Sequence, residues 1–319
     1  MGILYVDRTD IELRDEGNHL CLYENGERRS TVPLTLLERV VLRGAVQLSA
    51  GVLRRLADHN VGLLVLAGRS NRQAAMLLGK PNGDVRRRIA QYRWHHDAGY
   101  RASWSLPLVG LKLRAQRRLL LRAALQRPDC RKPLLDGADQ IERGLSGLRH
   151  LAPEPGLEKR LCGIEGAAAS AYFGAFTFLF PASLDFTGRN RRPPKDPVNA
   201  VLSLGYTMLH AEAVSACHIA GLDPFVGFFH EPAHNRESLA ADLIEPVRAR
   251  LDEWAWRLFA ERKLRGDAFT RQEDACLLGK AGRQTFYLEY ELFARPVRRL
   301  LRRYALSVAK RLLADGDAA

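Results

Sequence analysis

The chain has 319 residues, 46% of them hydrophobic and 27% charged, a balance that fits a globular protein and excludes a disordered one. Its 49 Lys and Arg against 36 Asp and Glu give a formal charge of +13, which points to a polyanionic partner, with an anionic membrane surface as the competitor. Five cysteines (Cys21, Cys130, Cys162, Cys217 and Cys276) are too dispersed for a zinc knuckle and odd in number, as expected of free thiols in a reducing, cytoplasmic compartment.

The start, MGILYVDRTD, carries no basic-then-apolar leader, and Val6 stands where a myristoylation site needs Ser or Thr. ILYVD, IELR and HLCLYE alternate like strands, and the turn signals at 15–18 and at Asn25-Gly26 predict hairpins. Apolar strands are expected at 39–42 and 62–66, with a short helix at 52–58 between them. Lys80-Pro81-Asn82-Gly83 is a breaker cluster, after which helical periodicity takes over. The expected fold class is therefore α+β, with a β-rich domain at 1–83 and a larger all-α domain at 84–319. Helices are predicted at 84–102, 107–126, 134–149, 155–180, 197–220, 238–263 and 296–314. The uncharged run 166–184 carries Pro181 and stands alone, so it predicts a buried helix and no membrane span.

Two helices are densely basic: Lys112, Arg114, Arg117, Arg118 and Arg122 on one, and Arg298, Arg299, Arg302, Arg303, Lys310 and Arg311 on the last. Solvated amphipathic faces and phosphate tracking both fit, and the second makes affinity fall with salt without reading sequence. Glu165 sits in GIEGAAAS, where small residues predict close packing and a partly buried carboxylate that needs a cation, either a metal ion or an Arg. Further on, Arg189, Arg191, Arg192 and Lys195 crowd ahead of Asp196-Pro197, an N-cap followed by proline at the first helical position.

His230 to His234 read HEPAH and so fit the zinc-protease pattern H-E-x-x-H. That chemistry needs both histidines on one face of a formed helix, whereas Pro224, two glycines and Pro232 break the segment. The helix expected from Ser238 onward puts Asp242 and Glu245 three apart on one face. Two carboxylates with one imidazole suit Mg²⁺ or Mn²⁺ better than Zn²⁺; a solvated acidic face is the alternative.

In order and spacing, the GIEGAAASAYF segment, FTGRNRRPPKDPVNAVLSLGYTMLHAEA and GFFHEPAHNRESLAADLIEPVR resemble the CRISPR-associated adaptation integrase, the first-numbered and nearly universal Cas protein. The resemblance covers the whole chain. It implies an N-terminal β-rich dimerisation domain and an α-helical catalytic domain, with Glu165, His230 and Asp242 as catalytic metal ligands and Glu245 as a further acidic position that could touch the metal. It also implies that Arg192, Asn199 and Tyr206 lie near the site. With Arg189, Arg191, Arg248, Arg298 and Arg302 they make up the expected DNA contacts. The implied activity is metal-dependent insertion of spacer DNA into CRISPR arrays by 3′-hydroxyl transesterification, with nuclease action on branched DNA. The implied partners are double-stranded DNA (prespacer and repeat), a second copy of the chain and the small second Cas protein. A transposon-borne integrase of the same fold is the alternative.

Overall fold

A computed structural model describes residues 2–67, 73–80, 82–152, 154, 156–190, 193–272 and 275–317. Its two units are 1–83, rich in strands, and 84–319, mostly helical. In the first, β1 (Gly2–Asp7), β2 (Ile11–Glu16), β3 (His19–Glu24), β4 (Glu27–Pro33), β5 (Leu37–Arg43) and β6 (Val46–Leu48) precede helix α1 (Ala50–Asp58), and β7 (Gly62–Leu66) and β8 (Gln73–Leu77) follow it. One sheet has the order β4-β3-β2-β6 and the other β1-β5-β7-β8.

The hairpins β2–β3 and β3–β4 turn where the sequence signals lie, and Asn25 and Gly26 take the positive φ values (54° and 78°) that a two-residue hairpin turn requires. Hairpins are only half of the pattern, because β1–β5, β5–β7 and β2–β6 are parallel. Both sheets close on one core: Ile11, Leu13 and Leu20 from the first, Val6, Val40 and Leu42 from the second, and Val52 and Leu56 from α1.

The second unit runs through α2 (Arg86–His96), α3 (Ala98–Gln126), α4 (Arg131–Leu148), α5 (Leu157–Phe176), α6 (Pro197–Ala220), α7 (Ser238–Ile244) and α8 (Arg248–Ala260). A two-stranded hairpin, β9 (Phe269–Gln272) and β10 (Ala275–Leu278), interrupts the helices before α9 (Lys280–Asp317). The first break falls at Asp97, which caps α3 by accepting from Tyr100 N at 2.7 Å, and not at Pro107, which lies inside α3. Residues 102, 105, 108, 109, 112 and 113 continue one buried face through the proline, and that burial offsets the roughly 3 kcal/mol a mid-helix proline costs. α9 likewise starts well before Pro296, because Phe286, Tyr290, Ala294, Val297, Leu301, Ala305, Val308 and Leu312 form a single buried stripe.

The small residues of α5 divide into two groups. A Cβ on Gly137 of α4 would lie 2.6 Å from Ala175 Cβ, so Ala171 and Ala175 do allow the close approach expected of them. Gly163, Gly166 and Gly174 instead face open space, so α5 is buried on one side only. Among the described residues no helix is long and apolar enough to cross a membrane.

Arg298, expected to contact DNA, is only 4% exposed. Its guanidinium donates to both oxygens of buried Glu212 on α6 (3.0 and 3.1 Å) and to Glu291. That expectation is corrected: the side chain faces inward and ties α9 to α6. Replacing Arg298 with Ala leaves Glu212 charged and buried, so chemical denaturation of the variant is expected to show a loss of about 3–5 kcal/mol, most of it recovered when Glu212 is also replaced by Leu.

Candidate active site

The segment 222–230 has no regular secondary structure; side chains of α2 and α3 hold it. Gln91 Nε2 donates to Asp223 O and Val226 O (2.8 and 2.7 Å) and Gln91 Oε1 accepts from Asp223 N. Arg101 Nε and Ser105 Oγ donate to Phe228 O, and Trp104 stacks on the Phe228 ring at 5.4 Å between centroids. Asp242, on α7, completes the fixation. Its Oδ2 accepts from Phe228 N and Phe229 N (2.7 and 3.0 Å), and its Oδ1 accepts from His230 N (3.0 Å) and pairs with His230 Nδ1 (2.7 Å). The neutral His230 ring therefore carries its proton on Nδ1, which leaves Nε2 as the nitrogen with a free lone pair. Gly227 makes this approach possible, since a Cβ there would lie 2.8 Å from Asp242 Oδ2 and 2.8 Å from the Ser238 carbonyl carbon.

Helix α7 stops at Ile244, and the tight turn Glu245–Val247, containing Pro246, separates it from α8 where one continuous helix was expected. Ser238, the first residue of α7, donates its hydroxyl to Glu231 O at 2.9 Å. The side chain of Glu245 is 4% exposed and lies among cations: Arg248 Nη1 is 3.3 Å from Oε1 and Lys112 Nζ is 2.6 Å from Oε2. Lys112 also forms an ion pair with Glu165 Oε1. Burial by itself would raise the Glu245 carboxyl, but Arg248, Lys112 and His230 together hold it at about 2. The Lys112 ammonium is directed at Glu165, so Glu245 Oε2 is buried beside a charge yet without an aligned hydrogen bond.

A buried aromatic column flanks the carboxylates. Tyr172 OH and Tyr206 OH both donate to Asp252 on α8, whose carboxyl burial raises while the two hydroxyls oppose the shift. The Arg248 guanidinium lies over the Tyr206 ring at 4.4 Å and that of Arg189 at 5.6 Å. Asn199 is fully buried and serves the loop ahead of α6, accepting from Arg189 and Asn190 N and donating to Gly188 O and Asp196. Asp196 caps α6 through Asn199 N at 2.8 Å, as its sequence predicts.

The expected metal ligands thus separate into two groups. Glu165 and Glu245 share Lys112, while His230 is tied to Asp242. Among the described residues no three His, Cys, Asp or Glu side chains form a ready-made cage, and Asp242 has all four of its acceptor positions filled by the protein. His234 is exposed, in a non-helical turn, so the protease pattern has no helix beneath it. Arg191 and Arg192 lie outside the described residues. Sequence reasoning missed Lys112 as part of the site, because it reads as one more cation in a basic stripe. It missed Asp252 too, which beside Glu253 reads as part of an ordinary acidic pair in the helical run after Pro246.

Residues 4–292 match the family model described as CRISPR associated protein Cas1. The chain belongs to the Cas1 family. A CRISPR-associated endonuclease Cas1 of Thermodesulfovibrio yellowstonii is 36% identical over 99% of both chains. Among solved structures, a casposase bound to integration product superposes with a TM-score of 0.82 at 22% identity over 98% of this chain and 91% of that one. The Cas1-containing chain of a Cas6-RT-Cas1–Cas2 complex gives 0.83 at 20% over 98% and 35%. At these identities the two structures establish a shared fold.

Gly227→Ala tests the local geometry of this Cas1 chain. The added methyl must push the 227–230 backbone off Asp242, with an expected loss of about 1–3 kcal/mol in thermal or chemical unfolding. The His230 Nδ1–H resonance should also lose its protection from solvent exchange.

Proposed function

We propose that this chain is a divalent-metal-dependent DNA integrase and endonuclease of CRISPR adaptation, which joins the 3′-hydroxyl of a prespacer end to a phosphodiester of repeat DNA. The observation that carries the reading is that Lys112 brings Glu165 and Glu245 together beside Arg248, with His230 near enough to lower the Glu245 carboxyl, in a chain with a Cas1 relative along its whole length. That 36% relative favours the CRISPR setting over a transposon-borne one, to which the likeness is one of fold.

The donor set fits a hard cation: two carboxylates, one of them with a buried oxygen that has no aligned hydrogen bond, and an imidazole with a bare Nε2. Glu165, Glu245 and His230 Nε2 would hold Mg²⁺ or Mn²⁺. Asp242, first expected as a ligand, becomes the group that fixes the His230 ring and tautomer. The bound ion would supply a Lewis acid for the scissile phosphate and a lowered pKa for the attacking hydroxyl. Arg248, partly exposed and braced by Tyr206 and Glu245, places a fixed positive charge beside the phosphate, where negative charge grows during the displacement.

A new P–O3′ bond forms as the old one breaks, the hydroxyl proton passes to solvent and one 3′-hydroxyl is released, so no energy cofactor is needed. Water in place of the hydroxyl gives cleavage. Arg189, Tyr206, Arg248 and Arg302 remain the proposed DNA contacts, whereas Asn199 is assigned to the loop that carries Arg189. Homodimers formed through the 1–83 domain, the small second Cas protein as partner and a cytoplasmic location belong to the same proposal. The Cas6-RT-Cas1–Cas2 complex supports the partner by analogy of fold.

Glu165→Gln and His230→Ala are expected to lower Mn²⁺-dependent joining of a short duplex to repeat DNA by about 100-fold or more, and Asp242→Asn by about 10–100-fold. Duplex binding in chelator should stay near the parent value; unchanged joining by Glu165→Gln would refute the assignment. In the parent, duplex affinity should fall steeply with salt, read as the slope of log K against log salt concentration.

A further inference from the structure

The Lys112 ammonium is a charged group at the heart of the site that the proposed reaction leaves without a role. Of the five cations on its stretch of α3, Arg114, Arg118 and Arg122 are exposed and Arg117 pairs with Glu142, while Lys112 turns inward and its side chain is 9% exposed. It reaches Glu165, from α5, and Glu245, from the turn after α7, so one side chain neutralises two carboxylates delivered by distant parts of the chain. Without it, the buried Glu245 and the partly buried Glu165 would face each other as like charges, with Arg248, 3.3 Å from the far oxygen of Glu245, to offset them.

A hard divalent cation bound by these carboxylates sits at about 2.0–2.2 Å from the oxygens it uses. Nζ already lies 2.6 Å from Glu245 Oε2 and in contact with Glu165 Oε1, which is the same volume. An ammonium and a divalent ion cannot share it, because their volumes overlap and two positive charges a few ångströms apart repel.

We propose that Lys112 is a positioning residue of the metal centre: a resident counter-ion that holds Glu165 and Glu245 together in the metal-free protein and must be displaced for a divalent cation to enter. This rests on the metal-site reading above. The four-carbon stem of lysine gives the head room to swing, and its single charge makes it a weaker occupant than Mg²⁺ or Mn²⁺. The site is thereby assembled before metal arrives, and its apparent metal affinity is set by the exchange of one cation for another. Lys112 acts on binding, through the two carboxylates, and not on the reacting atoms.

The test is Mn²⁺ titration of the full chain, followed by the electron paramagnetic resonance signal of free Mn²⁺, together with thermal melting in chelator and in Mn²⁺. Lys112→Met, near in volume and neutral, is expected to bind Mn²⁺ at least about tenfold more tightly than the parent. It should melt lower in chelator and gain more from Mn²⁺. Lys112→Arg, which keeps the charge, is expected to bind no more tightly than the parent. Equal or weaker Mn²⁺ binding by folded Lys112→Met overturns the proposal, as does tighter binding by Lys112→Arg. If Lys112→Met is unfolded in chelator, folding on addition of Mn²⁺ supports displacement, and failure to fold at any Mn²⁺ concentration overturns it. Glu165→Gln separates the two levels. Parent-like Mn²⁺ affinity in that variant removes the metal site itself, whereas a weakened Glu165→Gln beside a parent-like Lys112→Met removes only the role of Lys112.

Discussion

Asp242 is the anchor from which the site is built. A carboxylate that accepts from three consecutive backbone N–H groups and one imidazole converts an irregular, glycine- and proline-containing segment into a fixed platform for His230. Such a segment has no ladder partners of its own, so its buried N–H groups would otherwise be orphans, at about 1–3 kcal/mol each. The arrangement is local in sequence, with fourteen residues or fewer between donors and acceptor, yet it depends on Gly227 being bare and on Gln91, Arg101 and Ser105 closing the other side. Everything the site does with His230 passes through this one side chain.

The second half of the site is electrostatic. Glu165 comes from α5 and Glu245 from the turn after α7, and the Lys112 ammonium contacts both. The break at Pro246 matters here, because an unbroken helix would set Asp242 and Glu245 on one face. As folded, Asp242 serves the 228–230 backbone and Glu245 serves Lys112 and Arg248. The Tyr172–Asp252–Tyr206 column then stiffens the base on which Arg248 rests.

What the sequence made legible follows the range of each signal. Asp196-Pro197 and Gly221 mark both ends of α6, where a cap, a proline and a left-handed glycine act within a few residues. The Asn25-Gly26 hairpin is equally local. Parallel pairing of β1 with β5 is a contact between distant segments, and alternation alone does not specify it. The helices expected at 107–126 and 296–314 begin earlier, because a long buried stripe runs through Pro107 and Pro296, whereas the one expected at 238–263 breaks at Pro246, where the stripe is short. The sequence singles out Glu165, His230, Asp242 and Glu245, but not that Asp242 pairs with His230 while Glu165 and Glu245 share Lys112, because that depends on where Lys112 points.

Lys112, Arg248 and Arg298 also change how the composition should be weighed. Each adds to the formal charge of +13, yet each meets carboxylate inside the protein: Lys112 and Arg298 two each, Arg248 one. A duplex bound as proposed would therefore feel a weaker field than the tally of Lys and Arg implies, and the ionic atmosphere it would shed is set by the outward-facing cations. Electrolyte would screen those outward-facing cations long before it reaches the internal pairs that tie α3 to α5 and α9 to α6.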